Sequence, residues 1–219
     1  MKYSIEQASK ISGVNKITLR SWENRYNFLV PKRTDTNIRY YSQDSLVCTL
    51  NTKVLLSEKI KISVIATKTE REICDLVDSK FLDSKNENKN IYIARIIRAA
   101  LCYDRNLFDA TLLQGFKKYG LTNFYQEIMF VALEKIGYIW EVKSNDPEHE
   151  KFVSILLENK IQDITKELKD TNMSKDIWLL FIMSPYVFLN RSDSHFISLI
   201  KTTKMVKDAS LNISDKWGF

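Results

Sequence analysis

Residues 16–41, KITLRSWENRYNFLVPKRTDTNIRYY, interleave basic side chains with aromatics, and Pro31 cuts the run. Arginine and lysine on a helix can reach base edges and phosphates in a DNA major groove. Aromatics packed beside them fix their direction, while tyrosine hydroxyls and backbone N–H groups add bonds to phosphate. The chemistry implied is recognition of a polyanion. Lys16, Thr18, Arg20 and Arg25 are expected to face outward from a helix over 16–26, and Lys32, Arg33 and Arg39 to reach the flanking backbone.

The charge distribution agrees. Of 33 Lys+Arg and 27 Asp+Glu in the 219-residue chain, 12 and 5 fall in residues 1–68, leaving 21 and 22 for the rest. The whole positive surplus therefore lies in the first third. A small basic module on a near-neutral body is the electrostatic footprint of a polyanion binder.

Other chemistries find little support. There is no Gly-rich phosphate loop, no Cys-His-Asp series and no metal-spaced cluster, so an enzyme is not expected. Cys48, Cys74 and Cys102 are widely spaced and read as reduced cysteines of a cytoplasmic protein. The N-terminus lacks the apolar core of a secretory signal. The best apolar run, IWLLFIM at 177–183, is far too short to span a bilayer, so no membrane partner is expected.

Five glycines and three prolines, with abundant Lys, Glu, Leu and Ile, argue for a mainly α fold. Ser4 and Gln7 make a capping box for IEQASKIS, Gly13 suits a tight turn, and Asn15 caps the helix over 16–26. Ile17, Leu19 and Trp22 are expected to pack back on the first helix. Two short helices joined by such a turn form a helix-turn-helix, and Pro31 is expected to end the second. A hairpin is predicted around DTN at 35–37. Helices are then predicted over about 44–56, 62–67 and 70–82, with DSKNENKN at 83–90 as a linker. Further on, Asp104 and Gly120 bracket one helix. Thr122 opens another with Phe124, Ile128, Val131 and Ile136 inward, and Asp146-Pro147 opens a third. With the helix around Ile93–Leu101, these make an antiparallel four-helix bundle.

The stretch YSIEQASKISGVNKITLRSWENRYNFLVPKRTDTNIRYYSQDSL resembles the winged helix-turn-helix of MerR-type transcriptional regulators. The Ile5-x-x-Ala8-x-x-x-x-Gly13-Val14 opening, TLRSWENRY, PKRT and NIRYYSQDSL match in order, over about residues 2–68. The resemblance implies that Arg20 and Trp22 lie on the recognition-helix face at DNA and that Arg39 and Tyr41 meet the phosphate backbone. Lys16 and Thr18 are candidates for base edges.

The chain further resembles the MerR subgroup in which this domain precedes a cobalamin-binding module. That module carries a Trp, and about ten residues later a Glu-His, over the cofactor's upper face. Trp140 and Glu150 fit that register, but Lys151 stands in place of the His. WLLFIM resembles the first strand of the subgroup's third, Rossmann-like part. The resemblance implies an acidic-x-His-x-x-Gly loop after that strand. Asp193-x-His195-x-x-Ser198 fits it without the Gly, and the 24 residues after His195 are too few for the remaining βα units, so a truncated remnant is expected.

The expected organisation is a DNA-binding domain at 1–70, a helix and linker at 71–90, a four-helix bundle at 91–170 and a short strand-helix remnant at 171–219. The expected function is a MerR-like transcriptional regulator binding double-stranded DNA at a pseudo-palindromic promoter as a homodimer, without cofactor. The alternatives are a light-sensing repressor that holds adenosylcobalamin, or an interaction module. In the latter the bundle binds another protein or antagonises a full-length relative.

Overall fold

The computed structural model describes residues 2–141 and, beyond them, positions 152, 153, 155–157, 159, 160 and 163. It begins as the sequence predicts. The Ser4 hydroxyl accepts the Gln7 N–H and the Gln7 side chain accepts the Ser4 N–H, opening α1 (Ile5–Ser12). Gly13 ends it with a left-handed backbone, φ 67°. The Asn15 carboxamide accepts the Ile17 N–H at 2.9 Å and opens α2 (Lys16–Tyr26). The helix stops earlier than Pro31 requires. Asn27 takes a left-handed conformation, and the Phe28 N–H closes the turn on the Trp22 carbonyl at 3.2 Å.

A hairpin follows. Strands β1 (Lys32–Arg33) and β2 (Arg39–Tyr40) pair antiparallel, Lys32 opposite Tyr40 and Arg33 opposite Arg39. Their turn runs through Asn37 at φ 64°. Tyr41 leaves the hairpin and exchanges both backbone hydrogen bonds with Tyr3, at 2.9 and 2.8 Å, which ties the N-terminus to the hairpin base.

Helix α3 (Gln43–Ser57) carries Leu46, Leu50 and Val54 in helical spacing. It buries every residue from Leu46 to Thr52, then Val54 and Leu55. A helix buried on all sides lies at the centre of a molecule, and α3 packs against α1 and, beyond the short α4 (Ile62–Ile65), against α5 (Glu70–Leu82) and α6 (Lys89–Cys102). Two of its buried polar groups have partners: the Thr49 hydroxyl donates to the Ser45 carbonyl and the Asn51 amide to the Cys74 sulfur.

The polar segment between α5 and α6 is tied down at both ends. The Asn86 and Asn88 amides donate to the Glu58 carboxylate at 2.8 and 2.6 Å, Asn88 also reaches the Ser57 hydroxyl, and the Lys118 ammonium donates to the Ser84 carbonyl at 2.9 Å. Asp104 opens α7 (Arg105–Phe124) by accepting the Leu107 N–H, and the run breaks at Gly120, φ 72° and ψ 161°. A π-helical turn, Tyr125–Met129, leads into α8 (Phe130–Glu141). Such a turn inserts one residue into the helical register. Ala132 therefore takes the fully buried place expected for Val131, while Phe124, Ile128 and Ile136 are buried as predicted. α8 packs on α6 and, across the molecule, on α1. The described residues are thus mainly helical, with two short strands. The predicted helix start at Asp146 and the strand-helix remnant at 171–219 lie outside them.

Candidate nucleic-acid interface

The inward face of α2 is apolar. Leu19 and Trp22 are buried, and the Trp22 ring meets Phe28 with centroids 6.3 Å apart. At 3.6 residues per turn the opposite side presents Ile17, Arg20 and Asn24, with Lys16 and Arg25 flanking it. All five are exposed. Lys16 is paired with Glu6 of α1 at 3.3 Å. The Glu6 carboxyl is held below its ordinary range by its own backbone N–H and then by Lys16.

The hairpin sits beside this face. Arg39 of β2 pairs with Glu23 of α2 at 3.6 Å, and only 16% of the Glu23 side chain is exposed, so a largely buried carboxylate fixes the wing against the helix. The Arg33 guanidinium donates to the Asn37 side-chain carbonyl at 2.8 Å and stiffens the wing turn. Lys32, Arg33 and Arg39 are all exposed. Among the described residues Arg20, Arg25, Lys32 and Arg33 form no ion pair, so their charge is presented outward.

Two residues that the family resemblance puts at the DNA sit in the core, Trp22 there as its helical spacing predicts. Trp22 is 4% exposed and Tyr41 1%, because both side chains fill the core that α1, α2 and the wing share. Burial, and then the Glu23 carboxylate, push the Tyr41 hydroxyl above its ordinary range. They hold the basic residues in place and offer almost no surface of their own. Thr18 is half-buried. Ile17, expected to pack on α1, is 75% exposed, since Leu19, Trp22 and Tyr26 already occupy the inward arc. Sequence reading missed Glu23 as the wing's anchor and Asn24 as part of the outer face; the helical spacing from Arg20 would have found Asn24.

The far side of the helix-turn-helix meets α8. The Lys135 ammonium donates to the Ile11 carbonyl at 2.9 Å, the Lys53 ammonium to the Gly13 carbonyl at 3.0 Å, and Lys10 lies 5.3 Å from the centre of the Tyr138 ring. Two cations thus sit at the negative C-terminal end of α1. Burial, and then the Lys53 charge, lower the Lys135 ammonium to a pKa of about 8. Of the two residues expected at a corrin face, Trp140 falls in the last turn of α8 and Glu150 lies outside the described residues.

Two helices joined by a tight turn, with a basic outer face and a hairpin beside it, define a winged helix-turn-helix. Residues 3–72 match the MerR HTH family of regulatory proteins. This stretch is therefore a MerR-type helix-turn-helix, the kind found in DNA-binding transcriptional regulators. No curated protein matches the chain. Among the described residues no helix is long and apolar enough to cross a membrane, and no three His, Cys, Asp or Glu side chains are grouped to hold a metal ion.

Proposed function

We propose that the protein is a sequence-specific regulator of transcription that binds double-stranded DNA as a homodimer, with α2 in the major groove and the wing along the adjacent phosphates. The observation that carries this reading is the joined basic surface. Arg20 and Arg25 on α2, and Lys32, Arg33 and Arg39 on the wing, are exposed together, and the Arg39–Glu23 pair holds helix and wing side by side. Phosphate contacts from such residues position a protein on the duplex, and helix residues facing the bases select the sequence. Two-fold pairing of the chain would make the preferred site a pseudo-palindrome.

The helices from α6 onward are proposed as an effector or dimerisation bundle of four antiparallel helices. Their contact with the DNA-binding part supports this, because α8 packs directly on α1 and bonds to its last turn. A change in the bundle would thereby reach the helix-turn-helix without a flexible intermediary. The Arg20→Ala variant tests the reading. Its unfolding transition is expected to match the wild type, because Arg20 is exposed, while preference for the selected duplex over random DNA is lost. Unchanged preference would contradict the proposed role of α2.

A further inference from the structure

We propose that Ile17 reads the C5-methyl group of a thymine in the major groove, so that each preferred half-site carries a T·A pair opposite the first turn of α2. This rests on the reading of α2 as the recognition helix. Ile17 is one of the most exposed large apolar side chains among the described residues, at 75%. It stands at the leading end of α2, where recognition helices of this type contact base edges. Its neighbours leave that position to it. Lys16 is drawn back toward α1 by Glu6, at 3.3 Å, and Thr18 is half-buried. Arg20, one turn further along the same face, lies alongside it.

The chemistry of the groove then decides the base. Each base pair presents hydrogen-bonding groups there, and thymine alone adds a methyl group. An isoleucine side chain has no polar atom with which to satisfy a donor or acceptor. Opposite the edge of a G·C pair it would strip water from polar groups and return nothing. Opposite thymine it buries a methyl against its own branched chain, a gain of the order of one buried methyl group. The residue therefore selects for T·A by attraction and against G·C by uncompensated desolvation.

The test replaces each thymine of the selected duplex in turn by deoxyuridine, which removes the methyl group and leaves the base-pairing edges intact. Wild-type protein is expected to lose about three- to fivefold in affinity at one thymine per half-site, the loss that one buried methyl implies. Ile17→Ala is expected to fold normally, to bind the thymine duplex more weakly by a similar factor, and to show no further loss at that deoxyuridine. Tolerance of deoxyuridine at every position, or an equal loss in both proteins, would overturn the assignment while leaving specific binding by α2 intact. Failure to select any duplex would instead overturn the DNA reading itself, and this proposal with it.

Discussion

Gly115 lies where a side chain has no room. A Cβ built there would come within 1.9 Å of the Phe124 ring, and that ring is fully buried between α6 and α7, edge-on to Phe116 and Tyr92. Gly115→Ala is therefore expected to destabilise the protein by about 1–3 kcal/mol, the usual cost of overpacking. Gly137 in α8 is the control: nothing lies within 4 Å of its missing Cβ. Gly137→Ala should be stabilising by roughly 0.5–1 kcal/mol through helix propensity alone. Denaturant titration of both variants checks the pair, and equal effects would contradict the packing described here. At this scale helical spacing showed the exposed arginines and lysines and turned Leu19 and Trp22 inward, but it did not show the depth of Tyr41. Tyr41 stands just outside the hairpin, where its backbone pairing with Tyr3 decides that it lies in the core.

Elements are held to one another by polar contacts that leave little trace in a sequence. DSKNENKN at 83–90 contains no apolar residue and so reads as a linker. Its asparagines nevertheless bond to Ser57 and Glu58 at the end of α3. Asn88 also caps α6 by accepting the Asn90 N–H at 3.1 Å. Asn88→Ala removes a cap and a tether together, and should cost about 1–2 kcal/mol. A thermal transition unchanged from the wild type would show that the segment is a free linker after all. The same limit applies to Asp78 of α5, which accepts from Arg95 and Arg98 of α6, the latter at 2.8 Å to both oxygens. Arg95 also stacks 3.7 Å over Phe81 and bonds to the Thr111 hydroxyl of α7. Nothing in the spacing of these residues announces a network across three helices. Asp78→Ala would leave two largely buried guanidinium groups without their carboxylate, so it is expected to be the most damaging of the single changes considered, by about 3 kcal/mol. By contrast, the helix starts at Ser4, Asn15 and Asp104 and the break at Gly120 were legible, because capping is local chemistry.

At the scale of the whole molecule, the described helices share one core instead of two. α3 is buried on every side, its N-terminal Gln43 side chain donates to the Leu101 carbonyl of α6 at 2.6 Å, and α8 returns to pack on α1. Sequence reading placed the elements but could not show this closure, since periodicity gives each helix an apolar face and does not name what covers it. The closure has a pH signature. Lys135, at the contact of α8 with α1, has its pKa lowered from 10.5 to about 8. Between these values the unfolded chain binds the proton more tightly than the folded one, so the contribution of Lys135 to stability rises with pH across that window. Buried Cys48 and half-buried Tyr119, each raised to about 12, act in the opposite sense at higher pH. The prediction is therefore a difference. The stability of wild type relative to Lys135→Met should improve as pH rises from about 8 to 10.5, as followed by urea unfolding. A difference independent of pH would contradict the buried contact.

The most direct measurement is selection of bound duplexes from a random DNA pool by the full chain, followed by affinity against salt. The account predicts enrichment of a pseudo-palindrome with half-sites about one helical turn apart or a multiple of it. It also predicts an affinity for that sequence well above that for random DNA at the same salt. Enrichment of no sequence, with weak binding that falls steeply as salt rises, is the behaviour of phosphate contacts alone. That result would contradict the claim that α2 reads DNA.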